Sequence, residues 1–297
     1  MGDPSPPSPL SLKGTGGANA TPVASEDATE AAPRALTSPL SSSSLLPSLP
    51  AGYPYLGRGL GARGALLVCR LGLVDYQAAW DLQRRLAEAR RSDLVPDVLL
   101  LLEHPHTYTL GRRGKREHIL LSSHQLARRK IAVYEVDRGG DVTYHGPHQL
   151  VGYPILKMPP GRLNYIRYIR EVERAMLSSV RDLGVPGELK EGFSGVWVGE
   201  DKVCAIGVKV DASGVTSHGF ALNVNDDLSY FDHIIPCGIT DKGVTSLRQV
   251  RGRRVSMRHV MDVVTHRLAE TFALAPRGAG PKRLELLLAK AAATDGS

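Results

Sequence analysis

Three cysteines, Cys69, Cys204 and Cys237, are the side chains of this sequence best suited to nucleophilic chemistry. Cys69 lies in an apolar run that reads as a buried strand, where a cysteine serves as a small hydrophobe. Cys204 follows Lys202 in an alternating strand and is expected to pack inward. Cys237 stands in Ile234-Ile235-Pro236-Cys237-Gly238, outside any periodic element. The proline there restricts the chain direction, and the glycine permits close backbone approach to a ligand. A free thiol of pKa about 8.5 is mostly protonated at neutral pH, so a reactive cysteine needs a nearby cation. Lys202 is a candidate for that cation. Read alone, it also fits a water-facing turn lysine, because Glu200 and Asp201 precede it.

Other candidates are weaker one by one. His145, in Thr143-Tyr144-His145-Gly146-Pro147, could move a proton or bond a substrate, and equally could be a turn histidine held by backbone. Arg138-Gly139-Gly140 could bind an anion or leave space for a ligand. The run Arg112, Arg113, Lys115 and Arg116 could meet an acidic partner, although charge runs are usually solvated faces. The histidines and cysteines do not fall at zinc-site spacings. The sequence contains no phosphate-binding Walker loop and no dinucleotide fingerprint after a strand.

The elements that must position these groups are legible from residue 65 onward. Ala65 to Leu71 and Val98 to Leu102 read as strands, the second bounded by Pro96 and Pro105. Between them Asp75 caps a helix with apolar residues at helical spacing. Ser122 or Ser123 starts a short helix, and Ile131 to Val136 returns as a strand. Arg138 to Gln149 reads as a loop or tight hairpin, and Gln149 to Leu156 as a strand. Tyr165, Ile166, Ile169, Val172, Met176, Val180 and Leu183 form one stripe of a helix over 164–183, with Gly184 as its stop. Strands are expected at 195–198, 203–210 and 215–224, then helices at 256–272 and 283–292. Hairpins mixed with helix-separated strands favour an α+β fold with a mixed β-sheet flanked by helices.

Composition bounds the remainder. The first 50 residues hold 9 Pro and 10 Ser, so residues 1–60 read as a disordered Pro/Ser-rich extension. Of the 297 residues, a domain over 65–275 and a C-terminal helix or tail over 276–297 remain. The formal net charge of +7 falls wholly beyond residue 64, which suits an acidic protein or nucleic acid as partner. Apolar runs are shorter than 18 residues, which argues against a transmembrane span, and the N-terminus lacks the features of a secretory or transit leader. A cytoplasmic protein is expected, and three cysteines make no disulfide framework.

Four blocks, LLLLEHPHTYTLGRRGKREHIL (99–120), RGGDVTYHGPHQLVGYPIL (138–156), GVWVGEDKVCAIGVKV (195–210) and SHGFALNVNDDLSYFDHIIPCGITDKGVTSL (217–247), together resemble the lipoyl(octanoyl) transferases in order and spacing. The resemblance covers about residues 65–275. It implies a fold like that of the biotin and lipoate protein ligases. It also implies transfer of an octanoyl group from octanoyl-acyl carrier protein to a lysine of lipoyl domains of 2-oxoacid dehydrogenases, or of the glycine cleavage H protein. Cys237 is then the acyl-thioester nucleophile and Lys202 the group that tunes it. Arg138, Gly139, Gly140, Asp141, Val142, Thr143, Tyr144 and His145 match the first substrate-binding block. Ala205-Ile206-Gly207 and Gly219-Phe220-Ala221 match the other two. The sequence departs from the pattern it resembles, which usually has Gln or a similar residue at the position of Asp141 and Gly at that of His148. No metal, ATP or other cofactor is implied, because the substrate arrives activated, and neither nucleic acid nor membrane is an expected partner. The competing readings are an ATP-dependent lipoate or biotin ligase, for which Cys237 would be superfluous, and a non-enzymatic binding protein of the same fold.

Overall fold

The computed structural model describes residues 64–159, 164–235 and 242–295. The Pro/Ser-rich reading of residues 1–60 and the position of Cys237 lie outside them. In chain order the elements are β1 (Gly64–Leu73), α1 (Tyr76–Arg91), β2 (Asp97–Glu103), β3 (Thr107–Leu110), α2 (Ser123–Arg128), β4 (Ala132–Glu135), β5 (Val142–His145), β6 (Gln149–Ile155), α3 (Tyr165–Asp182), β7 (Glu188–Lys190), β8 (Phe193–Val198), β9 (Asp201–Val210), β10 (Thr216–Asn223), β11 (Gly243–Val244), α4 (Leu247–Arg251), α5 (Met257–Thr271), β12 (Leu274–Ala279) and α6 (Pro281–Asp295). Short 3-10 helices stand at Arg116–His118 and Leu228–His233.

The helix starts follow local chemistry. Asp75 accepts the Ala78 N–H, Asn164 that of Arg167 and Ser256 that of His259, each filling an otherwise orphaned donor. Ser122, rather than Ser123, caps α2, and Gln125 completes a reciprocal capping box. Gly184 follows the α3 cap with φ 76°, the left-handed backbone that ends helices.

The larger sheet runs β12-β1-β2-β6-β10-β9-β8-β7, with β11 added beside β9. The β12, β1 and β2 strands are parallel and the rest of the path is antiparallel, so the sheet is mixed. β2 shows why an unbroken apolar run was needed. Leu99 and Leu101 enter one core with α3 and α5, while Val98, Leu100 and Leu102 enter the other with α1 and α6. Both faces of the strand are buried, and each leucine contributes about 1.5–3 kcal/mol by leaving water. The 276–295 segment belongs to this arrangement: β12 pairs with β1 through Ala279, and Leu284, Leu288 and Ala291 of α6 pack into the second core.

The smaller sheet, β4-β3-β5, departs from the sequence expectation. Residues 142–145, read as part of a loop or tight hairpin, form a strand antiparallel to β3, a strand the sequence pattern does not announce. Four-residue strands carry too little periodicity to announce themselves. Their reward is tertiary: Tyr108, Leu110, Val142 and Tyr144 share a third core cluster with Ile119 and Ile234.

Candidate functional site

The glycine-rich block is built by one arginine. Arg138 is nearly buried, and its guanidinium donates to the Thr109 carbonyl and hydroxyl at 2.8 Å each and to the Gly139 carbonyl at 3.0 Å. Gly139 N–H donates to the Val208 carbonyl at 3.0 Å, which stitches this loop to β9. The basic loop folds over it, Arg112 and Arg113 donating their backbone N–H groups to the carbonyls of Arg138 and Gly140. Asp141 accepts from its neighbour Val142 N–H and pairs with His118 Nδ1, both at 2.6 Å.

His145 heads a buried chain of hydrogen bonds. Gln149 Nε2 donates to the Tyr144 carbonyl at 3.1 Å and to Asn223 Oδ1 at 3.0 Å, so Gln149 Oε1 must accept from His145 Nδ1 at 3.0 Å. The ring is therefore the Nδ1–H tautomer, with a lone pair on Nε2. Burial holds it neutral, pushing its pKa well below the usual histidine value. Asn223 Nδ2 continues the chain to the Thr245 carbonyl at 2.9 Å, and Thr245 N–H donates to the Lys202 carbonyl at 3.0 Å. Four separate stretches of sequence are thereby locked around one point.

Lys202 stands at the start of β9, half-buried rather than facing water as a turn lysine would. Its Nζ lies 4.7 Å from the ring centre of buried Trp197, within cation–π range. Nearby, Glu200 pairs with Lys190 and Lys242, whose hydrogen bonds hold its carboxyl down at about 2. Described chain approaches from both sides of residues 236–241. Ile235 N–H donates to the His118 carbonyl at 2.9 Å, and Gly243–Val244 pairs with Asp201–Lys202.

These elements enclose a cavity of about 130 Å³. Its wall includes Arg138, Gly140, Asp141, Val142, Thr143 and His145 from the first block. The strand blocks contribute Ala205, Ile206, Gly207, Gly219, Phe220 and Ala221, and Lys202 lies at the same cavity. Two expected residues are not among its lining. Gly139 is spent on the bond to Val208, and Tyr144 turns into the third core, its hydroxyl bonding His106 Nδ1 at 2.8 Å and its ring stacking on Tyr230. Strand alternation in β5 separates Tyr144 from its neighbours. Gln149 and Asn223 also line the cavity and were missed. Both lay inside the quoted blocks, but as polar residues in strand segments they gave no local signal of their own. His148 has φ 67°, the left-handed backbone that glycine adopts without strain.

The other two cysteines are poor nucleophiles. Burial pushes the Cys69 thiol up to about 11 and raises that of Cys204 further. Among the described residues no group of three or more metal-ligating side chains is gathered, and no helix is long and apolar enough to cross a membrane.

The fold and this cavity define a lipoyl protein ligase A/B catalytic domain, whose family pattern matches residues 75–269. Solved structures agree on the fold. Lipoate-protein ligase A bound with ATP superposes with a TM-score of 0.59 at 17% identity, covering 77% of this chain and 94% of its own. The bipartite lipoate protein ligase of Thermoplasma acidophilum gives 0.58 at 17% identity, over 77% of this chain and 91% of its own. Within that class the chain is 49% identical to the octanoyltransferase of Chloroflexus aggregans, over 71% of this chain and 96% of the relative. It is 47% identical to that of a Roseiflexus species, over 71% and 89% respectively. The chain belongs to the octanoyltransferase family.

Proposed function

We propose that the octanoyl group passes through a thioester on Cys237, with octanoyl-acyl carrier protein as donor. Lysines of lipoyl domains and of the glycine cleavage H protein are the acceptors. The observation that carries this reading is the meeting at Lys202: the chain that resumes after residues 236–241 pairs directly with it, beside the cavity.

The steps balance without a further reactant. Cys237 thiolate attacks the carrier thioester carbonyl, and the carrier thiol departs with a proton. The neutral acceptor amine then attacks the enzyme thioester, an amide forms, and the cysteine sulfur leaves. Lys202 stabilises the thiolate and exchanges a proton as the amine reacts. A shift of about 1.5 units in the thiol requires about 2 kcal/mol of differential stabilisation, within reach of one ammonium. Exposed Arg112 and Arg113, the latter on the cavity wall, present positive charge to an acidic donor.

The test is intact mass measurement after mixing the protein with octanoyl-acyl carrier protein and no ATP. One octanoyl mass, removable by hydroxylamine and missing from Cys237→Ser, is expected. An acylated Cys237→Ser protein with full transfer, or transfer that demands ATP and free acid, overturns the proposal.

A further inference from the structure

Glu173 is a carboxylate with no exposed surface, placed on the sheet-facing side of α3. Burying such a charge is costly unless it is paired and hydrogen-bonded. One oxygen, Oε2, takes Arg170 at 2.7 Å, and the other, Oε1, accepts the backbone N–H of Gly195 at 3.1 Å. The second contact reaches across from the helix into β8.

Gly195 is where that contact meets the lysine. Its φ is 116°, a backbone that side-chain-bearing residues rarely adopt. A methyl group there would fall 2.4 Å from the Cys204 carbonyl oxygen and 3.5 Å from Lys202 Cδ. The stem of Lys202 therefore lies along the open face of Gly195, while Glu173 holds the N–H of the same residue. Two residues on, Trp197 pairs in register with Lys202 after a bulge that leaves Val203 of β9 without a partner in β8, and its ring lies under the ammonium. The Cys204 thiol senses the arrangement: burial raises it, Lys202 pulls it down and Glu173 pushes it up. Both charges thus act on one sulfur, from opposite sides of the sign.

We infer that Glu173 is a positioning residue for Lys202, fixing the Gly195 strand along which the lysine stem lies and supplying a buried negative charge that favours its ammonium form. The inference rests on the reading of Lys202 as the group that activates Cys237. Other charges near the lysine are Lys190 of β7, over the same Trp197 ring, and Lys242 ahead of β11, at the same cavity, both tied to Glu200 in the preceding turn, with Asp201 next to it in the chain. From α3 come Glu173 and Arg170, and from β9 the Cys204 thiol. Glu173 differs from Glu200 and Asp201 in being shut away from water, so salt screens it least.

The experiment follows single-turnover acylation by octanoyl-acyl carrier protein across pH in the full-length protein. Glu173→Gln keeps the shape and an acceptor for Gly195 N–H but removes the charge. It should move the alkaline limb of the profile down by about one pH unit, the direction that loss of a negative charge sets for an ammonium. Glu173→Asp, which restores the charge, should return the limb toward the wild-type position even if the rate is lower, and Lys202→Ala should abolish the limb. An alkaline limb that stays in place in Glu173→Gln yet vanishes in Lys202→Ala overturns the positioning role and leaves the lysine reading intact. A limb that survives in Lys202→Ala removes the lysine reading, and this inference with it.

Discussion

Gly152→Ala is expected to shorten the acyl pocket. Gly152 of β6 lies opposite Phe220 of β10, and a methyl at Gly152 would come within 2.0 Å of Phe220 Cζ. Ordinary contact begins near 3.4 Å, so the ring must retreat by about 1.4 Å. Phe220 is 2% exposed, packed into the core on one side and lining the cavity on the other. The cavity is the open direction. Overpacking of this kind costs ~1–3 kcal/mol, a fall of about 2–12 °C in Tm for a chain of this size. The functional effect is separable. A displacement comparable to one carbon–carbon step excludes about one methylene, worth ~0.8 kcal/mol or roughly fourfold in rate. The assay compares kcat/KM for octanoyl and hexanoyl donors, and the octanoyl-to-hexanoyl ratio should fall about fourfold or more. If the protein loses stability while that ratio stays constant, the ring has moved elsewhere and Phe220 does not bound the chain's end.

Two further perturbations probe the surroundings. His104 is held at about 4 by burial, against an ordinary value near 6.5, although its ring bonds the Val74 carbonyl and the Tyr153 hydroxyl. A depressed histidine leaves the unfolded state binding more protons between those values. Stability is complete above about pH 6.5 and declines by about 3 kcal/mol as pH falls toward 4, and urea unfolding of His104→Gln should show a flatter slope over that interval. Asn223→Ala cuts the link from Gln149 to Thr245 and should cost about 1–3 kcal/mol, read from the urea midpoint, with a larger loss in acylation rate than Gly152→Ala for the same destabilisation.

The sequence spoke clearly wherever one face of an element had to be apolar over several turns or residues. The stripe of α3 and the unbroken core of β2 are of that kind, and both were read within a few residues. β3, β5 and β11 escaped because each is too short for periodicity and gains its place through partners distant in the chain. The same division holds at the site. Arg138, His145 and Lys202 were legible as chemistry-bearing residues in unusual settings, although only their resemblance to a known family tied them together. Tyr144 was placed with them by adjacency, whereas the pleat of β5 sends it into a different core. Gln149 and Asn223 passed unnoticed because their value is a hydrogen-bond partner more than 70 residues away, which no local pattern records.

The parallel pairing of β1 with β12 joins Gly64–Cys69 to Leu274–Ala279. As the chain leaves the ribosome, β1 can find β2 early, yet its outer edge has no strand to receive until some 200 residues have followed. Closure across such a separation is slow, and an uncovered strand edge is a template for pairing with a stranger. Premature termination anywhere before residue 274 would leave that edge open for good, so truncated products should aggregate even when every residue of the acyl cavity has been made.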